Sequence, residues 1–132
     1  MANATDISGT VFKNGSATLL ARVVGADGTP VTQASIASAV YSIELLDEND
    51  PDAGTAVAGH SDVAVGVAAL IYDTLQTDAL WDVDSTGYNL KHVLDVFVNP
   101  AFAVAGRQYR ITFRLTPTAG QVILVRFRVQ VI

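Results

Sequence analysis

Tyr109-Arg110-Ile111-Thr112-Phe113-Arg114-Leu115 and Ile123-Leu124-Val125-Arg126-Phe127-Arg128-Val129-Gln130-Val131 are two neighbouring runs in which every second residue is large and apolar. A period of two belongs to a β-strand, whose side chains leave alternate faces. Tyr109, Ile111, Phe113 and Leu115 therefore point inward from one strand, and Ile123, Val125, Phe127, Val129 and Val131 from the next. Bringing the two apolar faces together requires opposed residue numbers to sum to 238, which leaves Thr118-Ala119-Gly120 as a three-residue loop with Gly120 left-handed. On that register Arg110 faces Arg128 on the outer side, and Arg114 and Arg126 add to the positive charge of the hairpin. Like charges opposed on a sheet are unfavourable, and either solvent alone or acids of a neighbouring subunit, from Asp47, Glu48, Asp50 and Asp52, relieve them.

Upstream, turn signals recur at short spacing: Asn14-Gly15, Asp27-Gly28, Asn49-Asp50-Pro51, Ser85-Thr86-Gly87 and Asn99-Pro100. Short strands between frequent turns indicate an all-β domain. Asn14-Gly15 is the signature of a type I′ hairpin joining Val11-Phe12 to a strand in which Leu19, Ala21 and Val23 share a face. Ile36 to Leu46 alternates again, with Ala39, Tyr41, Ile43 and Leu45 on the buried side. Asp47 to Gly59 reads as an exposed loop, and Val63, Val65 and Val67 restart the alternation. Val67 to Leu80 fits either a strand or a helix; a strand to Tyr72 is favoured, followed by a turn capped by Thr77 that plants Trp81 in the core. The expected architecture is one domain over 1–132, an immunoglobulin-like two-sheet antiparallel sandwich with a long C-terminal hairpin.

Half of the residues are hydrophobic and 16% are charged, ample for a single core. No apolar run approaches the ~20 residues that span a bilayer, and the residues from Met1 lack the basic start and apolar stretch of a secretory signal, so synthesis in a cytosol is expected. The glycan-acceptor patterns at Asn3 and Asn14 are disregarded for the same reason. With no cysteine, disulfides, thiolate metal sites and cysteine nucleophiles are excluded. A net charge of −5 argues against a general nucleic-acid binder. The charge is unevenly spread: from Glu44 to Asp95 the only basic residue is Lys91, whereas after Asp95 there are arginines and no acid. Two readings fit: acidic loops and strand-rich ends that simply differ in composition, their charges on solvated faces, or a self-complementary assembly surface.

Little points to chemistry. His60 and His92 stand without partners at ligand or triad spacing and read as surface or edge residues. The acidic run Asp47-Glu48-Asn49-Asp50-Pro51-Asp52 invites a Ca²⁺ reading, but a helix-loop-helix site needs glycine at its sixth position and glutamate at its twelfth, where Asp52 and Ala58 stand. A solvated loop is the simpler reading, and neither a metal nor a cofactor is expected.

Asp84-Ser85-Thr86-Gly87-Tyr88 resembles the tyrosine corner of immunoglobulin-like sandwiches, which implies a structural role for Asp84 and Tyr88. The run Asp73-Thr74-Leu75-Gln76-Thr77-Asp78, then Trp81, Asp84, Gly87-Tyr88-Asn89, Gly106, Tyr109 and the Thr116-Pro117 to Gly120 turn resembles small proteins encoded among tailed-phage and prophage structural genes. The likeness covers Val63 to Ile132, and the front half is similar to the N-terminal sandwiches of phage baseplate and fibre-attachment proteins. The resemblance implies a non-enzymatic virion protein, a capsid decoration, head-to-tail connector or tail accessory, made in the bacterial cytoplasm and partnered by other virion proteins as an oligomer or on a lattice. A carbohydrate- or cell-surface-binding module, reading its target through Tyr72, Trp81 and Phe102, is the alternative.

Overall fold

A computed structural model describes residues 7–25, 28–50, 53–94 and 100–132. The strands are β1 (Ile7–Val11), β2 (Ala17–Ala21), β3 (Ile36–Leu46), β4 (Gly54–Ala56), β5 (Val63–Val65), β6 (Ile71–Gln76), β7 (Tyr88–Leu94), β8 (Gln108–Pro117) and β9 (Ile123–Val131). A 3₁₀ turn at Gln33–Ser35 precedes β3, and one helical turn, α1 (Val67–Leu70), precedes β6. One sheet runs β1-β9-β8-β3-β4, with β5 also on β3; the other runs β2-β7-β6. That order is the immunoglobulin arrangement, with β2, β7 and β6 in the B-E-D places, β9, β8 and β3 in the G-F-C places, and β1 beside β9. The pairing is antiparallel except between β1 and β9, which run parallel, so the first sheet is mixed.

The C-terminal hairpin has the expected register, from Gln108↔Gln130 through Arg110↔Arg128 to Leu115↔Ile123. Its inward residues carry the core: Ile111, Phe113, Leu115 and Val131 are inaccessible to solvent. Gly120 has positive φ as anticipated (+101°), but the loop is wider than three residues. Pairing within the hairpin stops at Leu115↔Ile123, because β8 continues instead along β3, with Pro117 opposite Ile36 and the Thr118 amide donating to the Ser35 carbonyl.

Asn14-Gly15 does not form a hairpin. The chain reverses there, with Asn14 at positive φ, but β1 pairs with β9 and β2 with β7. Turn chemistry sets only a reversal. The backbone bonds of the segment go to the C-terminus, from Lys13 N-H to the Ile132 carbonyl and from Ile132 N-H to the Val11 carbonyl. Within 47–59, Gly54–Ala56 folds back on Leu46 to Glu44 as a short strand, contrary to the loop reading. In the ambiguous stretch both readings hold in part: α1 is helical and β6 extended. The turn after β6 is capped by Asp78, whose carboxylate accepts from the Leu80 amide, rather than by Thr77.

His60 lies inside the molecule, and His92 is half-buried on β7, the middle strand of its sheet, so neither is a plain surface or edge residue. His60 is buried and shares a 3.0 Å hydrogen bond, through Nδ1, with the Tyr41 hydroxyl. His92 packs against the rings of Tyr41 and Phe113, at 5.2 and 5.5 Å between centroids. These rings join β3, β7 and β8 across the sandwich, in a core without the disulfide and tryptophan that pin antibody domains. Burial holds the His92 pKa below its ordinary value. The unfolded chain therefore takes up the proton first. Stability is full above about 6.5 and falls as the pH drops below that value. Urea midpoints measured from pH 7.5 to 5 should decline in the wild type and decline less steeply in a His92→Gln variant.

Candidate assembly surface

In the hairpin and β3, the residues between the inward-facing ones line the outer face of the larger sheet. Arg110 and Arg114 lie on β8, Arg126 and Arg128 on β9, and pairing stacks them in rows: Val40, Arg114, Leu124; Ser42, Thr112, Arg126; Glu44, Arg110, Arg128. Parallel pairing of β1 brings Ser8 beside Arg128. The four arginines expected from the sequence thus share one face.

Their acidic complement differs from expectation. Glu44, directly across β3 from Arg110, places its carboxylate 3.0 Å from the guanidinium, so the chain itself supplies this acid. Glu48 is 3.1 Å from Arg107, whose guanidinium also donates to the Leu46 carbonyl. Asp47 is turned onto its own loop, accepting from the Asn49 and Asp50 amides. Asp50 is exposed nearby, and its carbonyl accepts from the Ala53 amide. Asp52 lies outside the described residues. The acidic loop is therefore partly committed within its own chain, beside the start of β8. Glu44 was missed because its pairing with Arg110 joins positions far apart in sequence. Among the described residues no three His, Cys, Asp or Glu side chains are grouped to hold a metal ion, and no helix is long and apolar enough to cross a membrane.

On the opposite sheet, the segment between β6 and β7 forms a second polar cluster. The Asp84 carboxylate accepts from Trp81 Nε1 at 2.9 Å, from the Thr86 and Gly87 amides, and from Arg22 at 2.8 Å. These donors, Trp81 first, hold its pKa well below the usual carboxylate range. The Tyr88 hydroxyl donates to the Asp78 carboxylate at 2.7 Å, and that bond raises its pKa to about 12. Trp81 is not in the core. It lies half-buried over Tyr88, at 5.7 Å between ring centroids, because the indole N-H has its acceptor at the surface. Asp84→Ala should release the indole, shifting emission of this single tryptophan to the red and raising its quenching by acrylamide.

Asp84 and Tyr88 do not form a tyrosine corner, since the Tyr88 hydroxyl bonds a side chain and β7 is the E-like strand. Tyr109 has the corner geometry instead. It is the second residue of the F-like strand β8, and its hydroxyl accepts from the Val104 amide five residues upstream, at 3.2 Å.

Of the ligand-reading aromatics, Phe102 is fully buried and Tyr72 packs edge-on against Tyr88. A cleft of about 780 Å³ opens between the β2–β3 and β8–β9 connections, lined by Pro30, Val31, Ile36, Pro117, Val122 and Ile123 among others, with no aromatic side chain. Compared with protein-family models, curated proteins and solved structures, the chain matches none of them.

Proposed function

We propose that this chain is a non-enzymatic structural protein of a tailed-phage particle, acting by protein-protein assembly as a capsid decoration, a head-to-tail connector or a tail accessory. The observation that carries the reading is the outer face of the larger sheet, which gathers Arg110, Arg114, Arg126 and Arg128, with an exposed Leu124 at one end across from Arg114 and beside Arg126. Arginine beside exposed apolar area is the composition that protein interfaces favour. Arginine serves such contacts better than lysine, because its planar fork meets carboxylates with two bonds. The aromatic-free cleft and the burial of Phe102 weigh against the carbohydrate-binding alternative.

Purified phage particles examined by mass spectrometry should contain the chain in many copies, bound through this face. Reversing charge at Arg114 and Arg126 together should lower its incorporation about tenfold or more, since juxtaposed like charges at an interface are strongly unfavourable. Both side chains are exposed, so folding should be retained. Absence of the chain from intact particles, or full incorporation of the doubly reversed variant, would defeat the proposal.

A further inference from the structure

The arginine face has a complement elsewhere on the same molecule. The β6–β7 segment presents Leu80 and Val83, 54% and 71% exposed, among Asp78, Asp82 and Asp84. On the arginine face, Leu124 is 59% exposed and stands directly across from Arg114. Each patch sets an exposed apolar side chain beside charge, and the charges are of opposite sign.

Asp78 and Asp84 are tied to Tyr88 and Arg22, whereas Asp82 makes no ion pair or side-chain hydrogen bond among the described residues. Arg114 likewise makes none among the described residues. The two cannot meet within one copy. The β6–β7 segment is anchored through Trp81 on Tyr88 and Asp84 on Arg22 to the smaller sheet, and Arg114 points outward from the larger one. Packed sheets are about 10 Å apart, with the core between them.

We infer that the β6–β7 segment of one copy docks on the arginine face of the next, with Asp82 meeting Arg114 and Val83 and Leu80 covering Leu124. The contact rests on the reading of the chain as an assembly module. It joins two different patches, so it is heterologous and repeats head to tail, closing into a ring or growing into a filament. A stable joint of this kind buries about 800 Å² on each partner. It also gives the uneven charge distribution a physical purpose, since every copy carries both halves of the contact.

Sedimentation velocity on the full chain tests this directly. At low salt, mass should rise with concentration above the 13.9 kDa monomer, and salt should reverse the rise by screening. Arg114→Glu alone and Asp82→Arg alone should each raise the concentration for half-assembly about tenfold or more. An equimolar mixture of the two variants should assemble again, because each face then meets a segment of opposite charge. Native circular dichroism of both variants separates lost contact from lost folding. A wild type that stays monomeric at low salt, or a mixture that stays apart, would overturn the inference. A monomeric chain that is still incorporated into particles would sink this contact alone and leave the assembly role standing.

Discussion

Replacing Asn89 should cost more stability than replacing any exposed polar residue of this protein. Its side chain is inaccessible to solvent, and it serves three backbone groups: Oδ1 accepts from the Val23 amide at 2.7 Å, while Nδ2 donates to the Val23 and Val31 carbonyls at 2.9 and 3.1 Å. These bonds fasten the connection between β2 and β3 onto β7. Asn89→Leu leaves the Val23 amide and the Val31 carbonyl without that partner in an apolar setting, at about 1 to 3 kcal/mol each, while the Val23 carbonyl keeps its bond from the Val31 amide. The expected loss is about 3 kcal/mol or more, measured as a fall in the urea midpoint with little change in slope. Asn89→Asp separates packing from hydrogen bonding. It is nearly the same shape, yet sets a carboxylate against two carbonyl oxygens, so it should destabilise strongly at pH 7. The deficit should shrink toward acid pH as the buried carboxyl binds a proton and regains a donor.

Gly87→Ala should be nearly as damaging, for a steric reason. Gly87 has φ of +104°, and a Cβ built there would press into the carbonyl of Gln76, a backbone atom fixed by β6 against β7. The left-handed conformation alone costs a side chain roughly 1 to 2 kcal/mol, and displacing β6 adds to it, for about 3 kcal/mol in all. Gly120→Ala is the control: φ is +101°, but a Cβ there would meet nothing within 4 Å. Only the conformational part, roughly 1 to 2 kcal/mol, should be lost at that position. Equal losses at the two glycines would refute the close-approach account.

Alternation in 109–131 was enough to place Arg110, Arg114, Arg126 and Arg128 together and to set Arg110 opposite Arg128, because adjacent strands joined by a short turn leave one register that buries both apolar faces. It could not supply Glu44. That acid reaches Arg110 only because β3 lies beside β8, a pairing fixed by how the whole core closes. The placement of Asp84 and Tyr88 failed for a related reason. Spacing suggested a corner, but the hydroxyl took the nearer carboxylate of Asp78, and Tyr109, on the F-like strand, made the corner instead.

By itself, then, the amino-acid order determined what depends on neighbours along the chain: the all-β character, the long C-terminal hairpin with its register, the apolar face of β3, and the absence of any disulfide. Tertiary structure decided what depends on strands meeting from distant parts of the chain. It placed β1 parallel to β9 instead of in a hairpin with β2, buried His60 and half-buried His92 against Tyr41, and left Trp81 at the surface over Tyr88. The physical reason is common to all of these. Periodicity reports which face of a strand is buried, but the partner that buries it, and the partners that satisfy its polar groups, are chosen by the packing of the two sheets as a unit.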